Sequence, residues 1–263
     1  NKTKAVAPNA LVQQFFNREV YSMRNLTMLM DYYELTMSNG YFEKGFKDKM
    51  VVFDMFYRKN PDNGGFVVSA GLEQLIEYIE NMHFSKEDIE FLRGKGEFSE
   101  GFLQYLADFK FTGNIDALPE GTICYPNTPI VTVTAPVIEA QLIETMLLLT
   151  MNFQSLIATK ASRICRTAAE SGAVVMEFGA RRAHGGDAAI LGARAAYIGG
   201  AAATATVMAD ERFGVPAIGT MAHSWIQFFD NEYEAFKAYA EVYPDNCTLL
   251  IDTYDILNSG LVN

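Results

Sequence analysis

Three short segments in the second half of the chain put reactive side chains directly after apolar runs: Glu177-Phe178-Gly179-Ala180-Arg181-Arg182-Ala183-His184, Gly219-Thr220-Met221-Ala222-His223-Ser224 and Asp252-Thr253-Tyr254-Asp255. In parallel α/β architectures, ligands gather where strands end at their C-terminal edge. Three such ends together are a stronger signal than any one of them. The guanidinium forks of Arg181 and Arg182 suit phosphate or carboxylate, and Gly179 lets the backbone approach a ligand closely. The competing reading is a pair of surface arginines facing some of the 32 acidic groups. Asp252 and Asp255 are the pair to expect around magnesium on a diphosphate, or around ribose hydroxyls. For one of the two, an N-cap or Asx turn opening the next helix is an equal alternative. His223 follows Gly219-Thr220, whose backbone N–H groups can hold an anion, and Ser224 adds a hydroxyl. A neutral imidazole there can act as base or as nucleophile toward a phosphoryl group, and a structural hydrogen bond is the plain rival.

Other residues carry less. Aromatics in a helix are core by default, so at least one of Tyr32 and Tyr33 is expected inside. Lys160 and Arg163 read as solvated. The run Gly199–Thr206 has neither a Walker lysine nor G-x-G-x-x-G. Cys124, Cys165 and Cys247 are odd in number and far apart. They argue against a disulfide framework or zinc site and fit a reducing cytoplasm. His83, His184 and His223 have no ligand-like spacing.

The elements that must position these residues are legible as patterns. With 263 residues, 49% of them apolar and 20% charged, the chain can bury a sizeable core. A net charge of −11 argues against non-specific binding to nucleic acid or anionic membranes, though not against a phosphorylated substrate. The first 22 residues lack the apolar stretch of a signal peptide. Ala188–Ala209 carries Arg194 and paired glycines, and reads as a buried helix followed by a strand or turn. A soluble, cytoplasmic protein is the expectation.

Residues 1–22 read as an extension. A helix capped by Thr27 is expected through Met37, stopped at Asn39-Gly40, followed by a strand over Met50–Tyr57 and helices over 72–82, 87–93 and 99–109. Proline and glycine punctuation across Gly113–Pro136 predicts a small antiparallel sheet. A long apolar helix over Val137–Phe153 should then lead into a second domain. From Ser155 the rhythm alternates: helices over 155–170, 187–197, 204–213 and 225–242, with strands over 173–178, 215–219 and 248–251. The first of these strands, all apolar, should be buried on both faces. Such alternation predicts a parallel sheet or βα barrel.

Taken together, these segments resemble the nicotinate phosphoribosyltransferase family. The likeness runs from about Asn25 to the last residue through six ordered segments: Asn25–Glu34, Ala117–Gly121, Ala158-Thr159-Lys160 and the three reactive segments. It implies an α/β fold in which an open-faced α/β sandwich domain, residues 23–140, precedes an irregular β/α barrel, incomplete here, over 141–263. It also implies a homodimer with shared active sites, so that Tyr33 reaches the partner's site. By the same resemblance Phe178 and Tyr33 sandwich the pyridine ring, Thr220 and Ser224 lie near nicotinate, and Arg181 lies near 5-phosphoribosyl 1-diphosphate. His223 becomes transiently phosphorylated by ATP. Asp252 and Asp255 are the expected carboxylates, with Mg2+ as cofactor and Asp252 among the catalytic residues.

The family also makes Gly200–Thr204 of interest. Relatives often place an acidic or polar residue where this chain is alanine-rich, and the lack of a carboxylate favours nicotinate over nicotinamide. The rival readings are a nicotinamide-using relative and a non-catalytic fragment that binds a partner subunit.

Overall fold

The computed structural model describes residues 24–263, so the expected extension over residues 1–22 lies outside the described residues. The chain divides into two units, one ending at Thr159 and the other running Lys160–Asn263. The division falls within a long helix, downstream of the expected boundary at 140/141.

In the first unit, helix α1 (Tyr32–Glu43) is followed by strand β1 (Met50–Met55), the short strand β2 (Val67–Val68) and helices α2 (Leu72–Asn81), α3 (Lys86–Lys95) and α4 (Glu100–Ala107). Strands β3 (Asn114–Ala117), β4 (Ile123–Cys124) and β5 (Val131–Pro136) complete the strand set. The expected antiparallel sheet is present, with β5 in the centre between β1 and β3, and β2 pairs separately with β4. Period-two alternation decides the faces: Val131, Val133 and Ala135 of β5 are buried, whereas Thr132 and Thr134 point the other way. The buried face meets helices through Leu75, Leu92, Phe102, Leu103, Leu106, Ile138 and Leu142. One sheet face is covered and the other open, as an open-faced sandwich requires.

Capping explains where these helices begin. Ser85 and Asp88 form a reciprocal capping box at α3, and Ser99 accepts from Phe102 N–H at α4. Helix α2 has no such cap. Glu120 supplies one from a distance, accepting from the Gly71 and Leu72 N–H groups. Gly71 has φ 106°, and a Cβ there would stand 2.6 Å from the Thr150 carbonyl oxygen. Only glycine fits that close approach.

Thr27 differs from expectation. Its buried hydroxyl accepts from His83 N–H at 3.0 Å, tying two loops together, and α1 starts later, after Asp31. Helix α1 turns Glu34, Leu35 and Ser38 inward, which leaves both Tyr32 and Tyr33 exposed. The expectation that one of them is core therefore fails: the inward stripe falls one position past them.

The two helices expected over 137–153 and 155–170 break elsewhere. Helix α5 (Val137–Leu142) is short, and α6 (Glu144–Glu170) runs 27 residues without interruption. Ser155 and Thr159 on α6 accept from Ala70 and Val68 N–H at 3.0 and 2.8 Å, which fixes β2 against the helix.

The second unit carries the α–β rhythm in reduced form. Strand β6 (Met176–Glu177) pairs in parallel with β7 (Ala203–Thr204), and Thr204 makes a parallel bridge to Ala217. Helices α7 (Gly186–Ile198) and α8 (Val207–Phe213) supply the crossovers that parallel neighbours need. Helices α9 (His223–Phe228) and α10 (Glu232–Val242) follow, separated where a single helix was expected. No closed barrel is present among the described residues.

Three strand expectations need correction, and one of them, Val215–Gly219, is reduced to the single bridge at Ala217. The run Ala173–Phe178 is not buried on both faces: Val174 is 66% and Phe178 50% exposed, and only residues 176–177 pair. Its one paired strand is β7, and no second strand pairs with its other edge among the described residues. Thr248–Ile251 forms no strand, having no ladder partner there.

Candidate active site

The parallel pairing of β6, β7 and the bridge at Ala217 places the ends of three successive segments at one edge. Past β6, Phe178 and Gly179 lead into a single 3-10 turn, Ala180–Arg182. Arg182 N–H donates to the Gly179 carbonyl at 2.8 Å, and the side chains of Arg181 and Arg182 stand in solvent. Glu177 underpins this turn. One carboxylate oxygen accepts from Gly179 N–H, and the other accepts the Thr204 hydroxyl at 2.7 Å.

Past the Ala217 bridge, the chain turns through Gly219 and Thr220 into α9, where His223 is the first helical residue. The helix is held by its other face. Ile226 packs with Ala235 and Phe236 in a small buried cluster, and Trp225 Nε1–H donates to the Ala235 carbonyl at 3.0 Å. His223 and Ser224 are thereby left facing water. The Thr220 hydroxyl donates to the Met221 carbonyl at 3.2 Å.

The third segment reaches the second directly: the Thr253 hydroxyl lies 3.2 Å from His223 Nδ1. That contact orients the imidazole and leaves Nε2 directed away from it. Sequence reasoning quoted Thr253 within its segment but gave it no role, because a threonine beside two aspartates has no signature of its own. Glu177 and Thr204 were missed in the same way, since a hydrogen bond across parallel strands has no fixed sequence spacing.

The two aspartates part company. Asp255 caps the turn Ile256–Gly260: it accepts from the N–H groups of Leu257 and Asn258, and from the Asn258 side-chain amide, each at 3.0 Å. These hydrogen bonds, that from the Asn258 side chain first, hold its carboxyl below the usual aspartate range. Of the alternatives open for the pair, the N-cap belongs to Asp255. Asp252 is exposed. Magnesium takes one or two carboxylates and completes its shell with water and phosphate oxygens; Asp252 and Asp255 are both exposed enough to serve, and Asp255 already accepts three hydrogen bonds. No cluster of three or more His, Cys, Asp or Glu that could hold a metal by itself occurs among the described residues.

Tyr33 belongs to the first unit, at the start of α1. Its partial burial and then a hydrogen bond to Glu144 push its pKa up to about 12, so it is a neutral aromatic surface at physiological pH. Glu34, beside it, is fully buried and accepts from the N–H and hydroxyl of Thr145. Burial raises its pKa against the lowering effect of those hydrogen bonds.

A small sheet open on one face, followed along the chain by a long helix and parallel βα units, defines a two-part α/β chain. The model of the nicotinate phosphoribosyltransferase N-terminal domain matches residues 28–152. A nicotinate phosphoribosyltransferase of Mycobacterium tuberculosis is 46% identical over 230 residues, covering 88% of this chain and 49% of that protein. That of Bacillus subtilis is also 46% identical, over 91% of this chain and 48% of its own length. The crystal structure of human nicotinic acid phosphoribosyltransferase superposes with a TM-score of 0.81 at 28% identity, covering 88% of this chain and 56% of that one. The chain belongs to the nicotinate phosphoribosyltransferase family. It spans about half the length of the curated relatives it matches.

Proposed function

We propose that the gene product to which this chain belongs forms nicotinate mononucleotide and diphosphate from nicotinate and 5-phosphoribosyl 1-diphosphate, in NAD biosynthesis and salvage. What carries the reading is the shared edge at which the Arg181 turn and His223 lie, on a chain 46% identical to proteins named for this activity. Breaking the bond from ribose C1 to diphosphate leaves an oxocarbenium-like carbon and a polyanionic leaving group. Arg181 is suited to bind the phosphoryl oxygens, and its charge opposes that developing on the leaving group. Asp252 is suited to the ribose hydroxyls or to Mg2+, which when bound neutralises diphosphate charge. Phe178 and the partner subunit's Tyr33 stack the pyridine ring and hold its nitrogen in line, an effect of positioning. Thr220 and Ser224 offer hydroxyls to the nicotinate.

ATP is the proposed co-substrate. His223 Nε2 attacks the γ-phosphorus, ADP leaves, and hydrolysis of the phosphohistidine biases the equilibrium toward the mononucleotide. Thr253 fixes the ring through Nδ1 for that step. A homodimer in the cytoplasm completes the proposal, and no helix among the described residues is long and apolar enough to cross a membrane.

The test of the ATP step is His223→Ala in the full gene product. It should still make some nicotinate mononucleotide but gain nothing from ATP. An ATP-dependent yield equal to that of the parent would remove His223 from the mechanism.

A further inference from the structure

Arg181 and Arg182, the side chains suited to the diphosphate, are exposed and sit on a single 3-10 turn, so something beneath must fix that turn. In Glu177 the two carboxylate oxygens have different duties. One accepts from Gly179 N–H within its own segment, and the other accepts the Thr204 hydroxyl from β7 at 2.7 Å. Thr204 is fully buried, and its oxygen accepts in turn from Thr206 N–H at 3.0 Å. The backbone closes the same ring: Ala205 N–H donates to the Glu177 carbonyl at 2.9 Å, and Ile218 N–H to the Thr204 carbonyl at 2.8 Å. The ladder itself holds only two residues of β6 and two of β7. So short a pairing fixes register weakly, and a side-chain clasp across it matters more than it would in a long sheet.

We propose that Glu177, acting through Gly179 N–H and Thr204, is a positioning residue that holds the Arg181–Arg182 turn at the height needed for the diphosphate of the phosphoribosyl donor. A carboxylate is suited to this because it only accepts, and here one acceptor takes a backbone N–H while the other takes a hydroxyl. Loss of the clasp releases the turn while leaving the arginines chemically intact. The expected defect is therefore selective for the anionic donor.

This inference rests on the proposed transferase reading, and two measurements on the full gene product keep the two separable. In Glu177→Ala, KM for 5-phosphoribosyl 1-diphosphate should rise about tenfold or more, with kcat at saturating donor and KM for nicotinate each changing less than about threefold. Glu177→Gln, which keeps an acceptor for Gly179 N–H, should recover most of the loss. Thr204→Val should fall between the two. Amide hydrogen exchange over Gly179–Arg182 should quicken about tenfold in Glu177→Ala, with β5 unchanged. A donor KM in Glu177→Ala within twofold of the parent, or unchanged exchange over the turn, overturns the clasp. An inactive parent in which the turn still loosens in Glu177→Ala sinks the transferase reading and leaves the clasp standing.

Discussion

At the scale of single residues, the candidate site is a matter of which polar groups are already engaged. Asp252 and Asp255 look alike in sequence, three residues apart. The structure separates them, because Asp255 has three donors on its carboxylate and Asp252 stands in solvent. Asp252→Asn in the full gene product should therefore raise the magnesium concentration needed for half-maximal activity, whereas Asp255→Asn should leave it near that of the parent. The reverse pattern in a magnesium titration would assign the metal to Asp255 and overturn this prediction. His223, Arg181 and the two aspartates were legible from residue type and from their place after apolar runs. Thr253, Glu177 and Thr204 were not, because their roles arise from neighbours 30 and 27 residues away in sequence.

At the scale of elements, the first unit was read more fully than the second. Helices α2, α3 and α4 lie where they were expected, β1 followed from alternation, and the sheet containing β3 and β5 followed from the proline and glycine punctuation of Gly113–Pro136. The failures have local causes. The apolar run Ala173–Phe178 has the composition of a buried strand but only one strand beside it, so pattern and exposure disagree. The start of α1 was misplaced because Thr27, a good capping type, is spent on His83 N–H instead. Gly71 is the element-scale position with the sharpest demand. Gly71→Ala combines a φ of 106° with a Cβ only 2.6 Å from the Thr150 carbonyl oxygen, and should destabilise the first unit by more than about 1 kcal/mol in urea unfolding. Unchanged stability would mean that the loop before α2 is not held against α6 as described.

Glu34 gives the fold of the first unit a pH dependence of definite sign. Burial raises its pKa, so the folded state binds the proton more tightly than the unfolded chain. Its contribution to stability is fully present below the ordinary glutamate value of about 4.3 and is lost as pH rises through the higher folded value. Between about pH 4 and pH 7 the parent should lose more melting temperature than Glu34→Gln, whose side chain does not titrate. Equal slopes in a pH series of thermal melts would show that Glu34 is not desolvated as placed.

At the scale of the whole molecule, the ordered motifs indicated an α/β chain of two parts, and the structure has two units, each with its own core. The expected boundary at 140/141 lies ahead of α6, whereas the two units meet within that helix, at Thr159/Lys160. The central claim is the reaction itself. The most direct measurement is mass-spectrometric detection of product when the full gene product is given 5-phosphoribosyl 1-diphosphate with equal nicotinate and nicotinamide. The account predicts nicotinate mononucleotide as the main product, with a higher yield when ATP and magnesium are added. Nicotinamide mononucleotide in excess, or no nucleotide from either base, would contradict it.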